Sequence, residues 1–298
     1  MAFWEFKGDR VTSLSGQARI AGVMGWPVGH SRSPRLHGFW LSQHAIDGTY
    51  IPMAVAPEHF ADALRALPKL GFAGTNVTAP HKQAALAGVD EVDDVARRIG
   101  AVNTVIVRED ASLLGTNTDA FGFIENVRDG APDWQAQAGP ALVLGAGGAA
   151  RAVIVALLDA GVPDLRLTNR TAARAEELAA ELGSGEFAGR MNVVPWAERS
   201  DALTDAATVI NTTSLGMVGQ PDLELDLSAL PGSALVTDIV YAPLETPLLK
   251  AAAARGNSCV DGLGMLLHQA RPGFAAWFGV EPRVDQALRD HVLADAGE

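Results

Sequence analysis

Cysteine is almost absent from this sequence, since Cys259 is the only one among 298 residues. One thiol cannot form a disulfide within the chain, and it cannot build a thiolate site for a metal ion. Such a chain fits a reducing compartment, so we expect a cytoplasmic location and no metal. Residues 1–10 agree with this expectation, because four of them are charged and they lack the apolar core of a signal peptide.

Positive charge is also scarce. Lys and Arg number 23 against 35 Asp and Glu, so the formal net charge is -12 at pH 7. Nucleic acids and anionic membrane surfaces are bound through basic surfaces, which this composition does not favour. The apolar runs are interrupted by glycine, proline or charge before they reach membrane-spanning length. We therefore expect a small-molecule ligand, and neither a nucleic-acid nor a membrane partner.

Short apolar segments alternate with helical ones along the chain, which is typical of an α/β protein with parallel strands and crossover helices. The predicted strands are Arg19–Met24, Thr49–Met53, Ala73–Val77, Val102–Val107, Ala141–Leu144, Leu165–Thr168, Thr208–Asn211, Leu235–Ile239 and Ser258–Val260. The predicted helices are one that begins near Pro34, then Pro57–Leu67, Pro80–Leu86, Glu91–Arg98, Ala120–Val127, Ala149–Ala160, Thr171–Leu182 and much of residues 262–298.

A glycine-rich loop follows one predicted strand and opens a helix. Its residues are Gly145, Ala146, Gly147, Gly148, Ala149 and Ala150, which have the G-x-G-x-x-A form. The first glycine permits the tight turn, the second lets a pyrophosphate approach the backbone, and the small last residue permits close helix–strand packing. The free amides of the helix N-terminus favour phosphate. The pattern predicts a dinucleotide site in a doubly wound sheet, the alternative being a tight turn without a ligand.

The end of the next predicted strand bears on the choice of nucleotide. NAD sites usually carry Asp or Glu there, whereas this chain has Asn169 followed by Arg170, Thr171 and Arg174. A carboxylate would repel a 2′-phosphate, and arginine can bind one through two parallel hydrogen bonds. The segment therefore predicts NADP, while a solvated Arg174 on an exposed helix face is the alternative interpretation.

Polar side chains cluster in three places within the first 120 residues. In the first place, Ser31 and Ser33 precede a helix. In the second, Lys82 lies in the first turn of a helix, where its positive charge is unfavourable beside the helix dipole. In the third, Asn103 and Asp119 flank strand ends. Strand ends of this kind bind ligands in open α/β sheets. The alternatives are that the serines and the aspartate cap helices and that the lysine is exposed to solvent.

Motifs in these clusters and beyond them, taken in order, resemble the shikimate dehydrogenase family and cover most of the chain. The matching motifs are Ser31–Pro34, Asn76–Lys82, Gly100–Thr104, Asn117–Asp119, Gly145–Ala150, Asn169–Thr171, Asn211–Met217, Asp238–Tyr241 and Gly262–Gln269. The resemblance implies reversible, NADPH-dependent reduction of 3-dehydroshikimate to shikimate in aromatic amino acid biosynthesis. The sequence departs from the family pattern at Ala120, where Gly is more frequent, and at Gly38, where Asn is common.

The resemblance also assigns the site residues. Lys82 and Asp119 would be the catalytic pair. Substrate binding would fall to Ser31, Ser33, Thr78, Asn103, Tyr241 and Gln269. NADP binding would fall to Gly145, Ala146, Gly147, Gly148, Ala149, Asn169, Arg170, Thr171, Arg174, Thr213 and Gly262.

The resemblance implies two α/β domains on either side of a cleft. The first boundary is the polar segment after the helix near residue 120, and the second follows the last strand, before residue 262. We therefore predict that the chain has three parts. Residues 1–120 form a substrate-binding catalytic domain, residues 121–261 an NADP-binding Rossmann domain, and residues 262–298 helices that pack back on the first domain. We expect a monomer or a homodimer.

Three other interpretations remain open. A quinate/shikimate dehydrogenase that uses NAD or both nucleotides would share nearly every motif, although Asn169 and Arg170 count against it. Glutamyl-tRNA reductase has a similar glycine loop but needs an N-terminal nucleophilic cysteine, whereas Cys259 is near the other end. The third is a non-catalytic ligand sensor on the same scaffold. Loss of Lys82 or Asp119 would have indicated it, but both residues are present.

Overall fold

The computed structural model of the chain describes residues 14–294. The prediction for residues 1–10 lies outside this range. The described chain forms two six-stranded sheets with helices packed on them, which confirms the predicted α/β class. Between residues 14 and 294 no helix combines the length and the apolar character that crossing a membrane requires.

The first sheet is mixed rather than parallel. Its strands are β1 (Arg19–Gly25), β2 (Gly48–Ala54), β3 (Phe72–Val77), β4 (Glu91–Val92), β5 (Thr104–Val107) and β6 (Leu113–Thr116), in the order β2-β1-β3-β5-β6-β4. Strand β1 is parallel to β2 and β3, but β5 is antiparallel to both β3 and β6. The sequence prediction of a parallel sheet was wrong here, because β5 and β6 are joined by a short hairpin, which favours antiparallel pairing.

The direction of β5 matters for the site. Because β5 runs opposite to β3, its first residue, Thr104, pairs with Asn76 near the end of β3. Thr104 also pairs with Thr116, the last residue of β6. The ends of β3 and β6 and the start of β5 therefore meet at one edge of the sheet, next to the segments that continue to Lys82 and Asp119.

The second sheet is entirely parallel. Its strands are β7 (Ala141–Leu144), β8 (Leu165–Thr168), β9 (Met191–Val193), β10 (Thr208–Asn211), β11 (Leu235–Asp238) and β12 (Ser258–Val260). Their order β12-β11-β10-β7-β8-β9 is that of a doubly wound nucleotide-binding sheet, as predicted.

Ten α-helices lie in the described chain. They are α1 (Ser33–Gln43), α2 (Phe60–Ala66), α3 (Lys82–Gly88), α4 (Asp94–Ile99), α5 (Asp119–Gly130), α6 (Gly148–Ala160), α7 (Ala172–Leu182), α8 (Pro247–Ala254), α9 (Leu263–Phe278) and α10 (Gln286–Leu293). The helix predicted over Glu91–Arg98 begins late, because Glu91 and Val92 pair with β6.

Helices α5 and α9 are in close contact because both carry glycine at their interface. A Cβ on Gly122 of α5 would lie 2.7 Å from the Met265 carbonyl oxygen, and one on Gly264 of α9 would overlap Asn126. Further along α9, Trp277 is buried against the first sheet and donates its indole N–H to the Val105 carbonyl at 3.0 Å. Helix α9 therefore begins beside the second half of α5, passes the start of α5 and reaches the first sheet, so its side chains lie beside both.

His37 is a buried histidine in α1 with no access to solvent. Its ring stacks on Tyr50 at a centroid distance of 3.9 Å and lies close to Trp40. Neither ring nitrogen has a hydrogen-bond partner of ordinary geometry among the described residues. Burial lowers the pKa of His37 to about 3, and the Asn76 side chain offsets only part of this effect.

We expect His37 to make the fold acid-sensitive. Its pKa is about 3 when folded, against about 6.5 when unfolded. The stability due to the neutral ring is complete above pH 6.5 and falls by about 1.4 kcal/mol per pH unit as the pH decreases toward 3. Between pH 7 and pH 5, His37 should account for about 2 kcal/mol of the loss in the free energy of urea unfolding, so the loss should be smaller by that amount in His37→Phe. Burial also lowers the pKa of His268, which accounts for part of the loss that remains. His59 is exposed, so the control His59→Phe should lose as much unfolding free energy between pH 7 and pH 5 as the wild type. The same pH dependence of unfolding free energy in wild type, His37→Phe and His59→Phe would contradict the prediction.

Candidate active site

A cavity of about 220 Å³ opens at the edge of the first sheet where β3, β5 and β6 meet. Segments from both sheets and from α9 line it. All eight side chains predicted to bind substrate or to act in catalysis take part: Ser31, Ser33, Thr78, Lys82, Asn103, Asp119, Tyr241 and Gln269. Residues that are up to 238 positions apart in sequence are thus brought together in one small polar cavity.

Lys82 and Asp119 form an ion pair in this cavity. The Lys82 ammonium donates to Oδ2 of Asp119 at 2.5 Å, and their side chains are 24% and 10% exposed. Asp119 is the first residue of α5, but its carboxylate faces Lys82 rather than capping the helix, whose N-cap is Thr118. Both alternative interpretations, a helix cap and a freely solvated lysine, are therefore wrong. A shielded ammonium–carboxylate pair of this kind can give a proton to a substrate oxygen and take it back.

Asn103 orients the Asp119 carboxylate. Its side-chain nitrogen donates to Oδ1 of Asp119 at 2.8 Å. The oxygen of the same amide accepts from the backbone N–H of Thr118 and from the Thr104 hydroxyl, both at 2.9 Å. Because two donors face the oxygen of the Asn103 amide, that atom cannot be the nitrogen, and the amide has only one orientation. Gln269 completes the cluster, since its Oε1 lies 3.4 Å from the Thr118 hydroxyl.

The two serines lie at the start of α1, where no serine side chain caps the helix. The backbone N–H of Ser33 donates to the Ser31 hydroxyl at 3.3 Å, so the loop folds back on itself. Both residues line the cavity. The Ser31 hydroxyl proton can point toward a ligand, and the Ser33 hydroxyl lies beside Tyr50. This arrangement suits a carboxylate at the N-terminus of α1.

Arg32, between the serines, is a site residue that the sequence reasoning missed. Its guanidinium donates to the Val292 carbonyl at 3.0 Å and lies 5.6 Å from the centre of the Tyr241 ring. Within residues 14–294 it forms no ion pair, so the cavity contains an uncompensated positive charge that favours an anionic ligand. Burial raises the pKa of Tyr241, an effect that Arg32 opposes, and the phenol stays protonated. The only signal in the sequence was the position of Arg32 between two candidate serines.

A second cavity, of about 620 Å³, borders the first and shares Thr78 and Lys82 with it. The glycine loop lines it through Ala146, Gly147, Gly148 and Ala149, together with Arg174 of α7.

The loop leaves room for a pyrophosphate. A Cβ on Gly147 or Gly148 would meet no heavy atom within 4 Å, so the space beside their backbone is open. Gly145 has a φ of 111° and allows the turn to approach Thr212, whose hydroxyl oxygen would lie 2.7 Å from a Cβ. These residues fit a dinucleotide phosphate site.

The residues predicted to bind the 2′-phosphate follow β8. Asn169 donates its amide N–H to the Thr171 carbonyl at 2.8 Å, which orders the loop before α7. Arg170 and Arg174 are exposed, and neither forms an ion pair within the described part of the chain. Arg174 lines the second cavity, whereas Asn169, Arg170 and Thr171 lie on the adjoining loop.

The remaining two predicted cofactor residues differ in position: Thr213 lies beside Gly145 of the glycine loop, whereas Gly262 lies at the first cavity. Thr213 follows β10 and donates its hydroxyl proton to Oδ1 of Asn211 at 2.7 Å. Gly262, the N-cap of α9, lines the first cavity rather than the second. A Cβ on Gly262 would lie 2.3 Å from the Ile239 carbonyl oxygen, so glycine is required for this close backbone contact.

Arg151 joins the glycine-loop cavity to α4 of the first half of the chain, and sequence reasoning missed it. It lies in the first turn of α6 and lines the second cavity. Its guanidinium forms an ion pair with Glu181 of α7 and donates to the Ile99 carbonyl of α4 at 3.2 Å. The glycine loop is thereby joined to the segment that leads to Asn103. Its place directly after the loop was the available signal.

Two family descriptions match the chain. Residues 23–105 match "Shikimate dehydrogenase substrate binding domain", and residues 132–218 match "Shikimate / quinate 5-dehydrogenase". The first covers most of the first sheet, and the second covers the glycine loop and the segment that follows β8.

Three known proteins are similar over nearly their whole length. The shikimate dehydrogenase (NADP(+)) of Paramagnetospirillum magneticum is 62% identical over 94% of this chain and 100% of its own. The structure of Thermus thermophilus shikimate 5-dehydrogenase in complex with NADP(H) and shikimate has a TM-score of 0.80 and 37% identity, over 93% of this chain and 99% of its own. That of quinate dehydrogenase from Corynebacterium glutamicum in complex with NAD has a TM-score of 0.86 and 33% identity, with the same shares covered.

Proposed function

The chain belongs to the shikimate dehydrogenase family, and from this premise we infer that it is an NADP-dependent oxidoreductase that reversibly reduces 3-dehydroshikimate to shikimate. This reaction belongs to the chorismate pathway of aromatic amino acid biosynthesis. The observation that carries the inference is the Lys82–Asp119 pair, 2.5 Å apart, in a cavity that also contains Ser31 and Ser33 and borders the glycine-loop cavity.

We propose that the substrate lies across the first cavity. Its carboxylate would bind the Ser31 and Ser33 hydroxyls, with the charge of Arg32 in support. Its ring oxygens would bind Thr78, Asn103 and Gln269, and the Tyr241 ring would close one wall. The oxygen of the carbonyl group to be reduced would then lie at Lys82 and Asp119, because Lys82 also lines the second cavity.

Bound NADPH supplies a hydride, and the chain's own groups supply the proton and the orientation. As negative charge develops on the carbonyl oxygen, the Lys82 ammonium stabilises it and the Lys82–Asp119 pair transfers one proton to it. In the reverse direction the pair accepts the hydroxyl proton. The two groups share a short hydrogen bond, so we treat them as one proton-transferring unit.

The cofactor site is proposed from residues of the second sheet. The backbone of Gly145, Ala146, Gly147, Gly148 and Ala149 would hold the pyrophosphate at the N-terminus of α6. Asn169, Arg170, Thr171 and Arg174 would hold the 2′-phosphate, because the end of β8 carries Asn169 in place of a carboxylate that would repel it. Thr213, beside Gly145, and Gly262, which lines the substrate cavity, would complete the site.

A steady-state assay of four substrate pairs tests the proposal. The nicotinamide absorbance is followed as the enzyme oxidises shikimate or quinate with NADP or NAD. We expect the highest kcat/KM with shikimate and NADP. Faster reaction of quinate with NAD would replace the proposal with the quinate dehydrogenase alternative, and absence of turnover with every pair would favour a ligand sensor.

The organisation of the chain is part of the same proposal. Residues 1–120 would bind substrate, residues 121–261 would bind NADP, and residues 262–298 would return to the first part. The burial of Trp277 against the first sheet supports this return. We further propose that the enzyme works in the cytoplasm as a monomer or a homodimer.

A further inference from the structure

A chain of buried hydrogen bonds runs behind the substrate cavity to the Asp119 carboxylate. The Tyr50 hydroxyl donates to Oδ1 of Asn76 at 2.6 Å, and Nδ2 of Asn76 donates to the Thr104 hydroxyl oxygen at 3.0 Å. Thr104 in turn donates to Oδ1 of Asn103 at 2.9 Å, and Nδ2 of Asn103 donates to Asp119 at 2.8 Å. None of the five residues is more than 7% exposed. Water therefore has little access to replace a missing link.

The donor direction is the same at every link. Because Tyr50 donates to the oxygen of Asn76, the nitrogen of that amide must face Thr104. Because the Thr104 oxygen accepts this bond, its one proton is free for the oxygen of Asn103. The nitrogen of Asn103 then faces the carboxylate. Reversing one amide would leave buried donors facing donors, which is energetically costly.

The far end of the hydrogen-bond chain is Tyr50, which lies beside Ser33 at the start of α1. Tyr50 is packed flat against His37, with 6° between the ring planes. Burial raises the pKa of Tyr50 well above its usual range, so the hydroxyl keeps the proton that it donates to Asn76, and a hydrogen bond from Ser33 offsets this only in part. The chain of recorded hydrogen bonds thus runs from Tyr50 to Asp119.

We propose that Tyr50 and Thr104, which lie behind the cavity wall, are positioning residues for the reduction. They act through Asn76 and Asn103 to hold the Asp119 carboxylate in the orientation that pairs it with Lys82. This inference rests on the role proposed above for Lys82 and Asp119. It assigns a function in catalysis to two side chains that contact neither the predicted substrate position nor the glycine loop.

The test uses Tyr50→Phe and Thr104→Val, each of which keeps the side-chain shape and removes one hydroxyl. Reduction of 3-dehydroshikimate by NADPH is measured in single turnovers, which report proton and hydride transfer apart from product release. Each variant should react about tenfold more slowly, the effect of about one hydrogen bond. The single-turnover rate of the double variant should also fall about tenfold rather than a hundredfold, because either change alone already breaks the chain of hydrogen bonds.

Thr75→Val is the matched control. Thr75 is as fully buried as Thr104 and lies on the neighbouring strand β3. Its hydroxyl bonds only to backbone carbonyls, those of Gly22 at 3.0 Å and Asn76 at 2.9 Å, and to none of the side chains that form the hydrogen-bond chain. It should lower Tm and leave the single-turnover rate at the wild-type value.

Two results would overturn the proposal. One is a rate within twofold of wild type in both folded single variants. The other is multiplicative losses in the double variant, which would show independent effects. The Tm of each variant reports whether it folds. A wild-type protein that fails to reduce 3-dehydroshikimate would instead overturn the proposed function.

Discussion

Replacing Lys82 with alanine should lower kcat by about 10²–10⁴-fold, the usual range for the loss of a positioned proton-transfer group. The ammonium interacts most strongly with the substrate oxygen when that oxygen carries developing negative charge. Its loss should therefore affect the transition state more than the bound substrate, and KM should change little. The cavity amplifies the effect, because the Lys82 side chain is only 24% exposed and water replaces it poorly.

Steady-state kinetics in both directions measure this effect, with two comparison variants. Lys69→Ala removes an exposed lysine far from the cavity and should leave kcat unchanged. Asp119→Asn keeps the shape of the carboxylate but removes its charge, and it should lower kcat as strongly as Lys82→Ala if the two groups act as a unit. A loss of about tenfold or less in Lys82→Ala would argue against a chemical role.

Replacing Arg170 or Arg174 with alanine should raise KM for NADPH on the order of tenfold to a hundredfold, because each removes charge-assisted hydrogen bonds to a phosphate. KM for NADH, which lacks the 2′-phosphate, should hardly change. Both arginines are free of ion pairs within the described residues, so the variants leave no buried acidic partner uncompensated.

Two further variants test the specificity of this result. Asn169→Asp would place a carboxylate at the end of β8, where it should repel the 2′-phosphate and bind ribose hydroxyls. The preference should then shift toward NADH. Arg128→Ala, which removes an exposed arginine from α5, is the control and should change neither KM. If NADPH and NADH weaken equally in the Arg170 and Arg174 variants, the assignment of the 2′-phosphate site is wrong.

Several elements of the fold could be predicted because their signals are local. Strands β7, β8, β10 and β12 are short apolar runs bounded by turns, and their limits match the predicted ones. Helix α6 ends at Gly161, whose φ of 98° is the left-handed conformation expected at such an end. The strands that were missed, β4, β6 and β9, have two to four residues. Some predicted strands are equally short, but β4 and β9 bury none of their residues and β6 buries every second one, so no buried apolar run marks them. They become strands only through pairing with distant partners.

The sequence by itself determined the nucleotide loop, because the turn, the glycines and the helix N-terminus that bind phosphate are contiguous. It also identified Lys82 and Asp119 as candidates, but only the tertiary structure decided that they meet. They are 37 positions apart, and their contact depends on the antiparallel direction of β5, which the sequence analysis did not anticipate.

The same holds for Gly262, which lines the substrate cavity, and for Tyr50, which is linked to Asp119 through four buried hydrogen bonds. The physical reason is that hydrogen bonds and burial act between groups close in space. Strand pairing and helix packing, rather than residue spacing, bring these groups together.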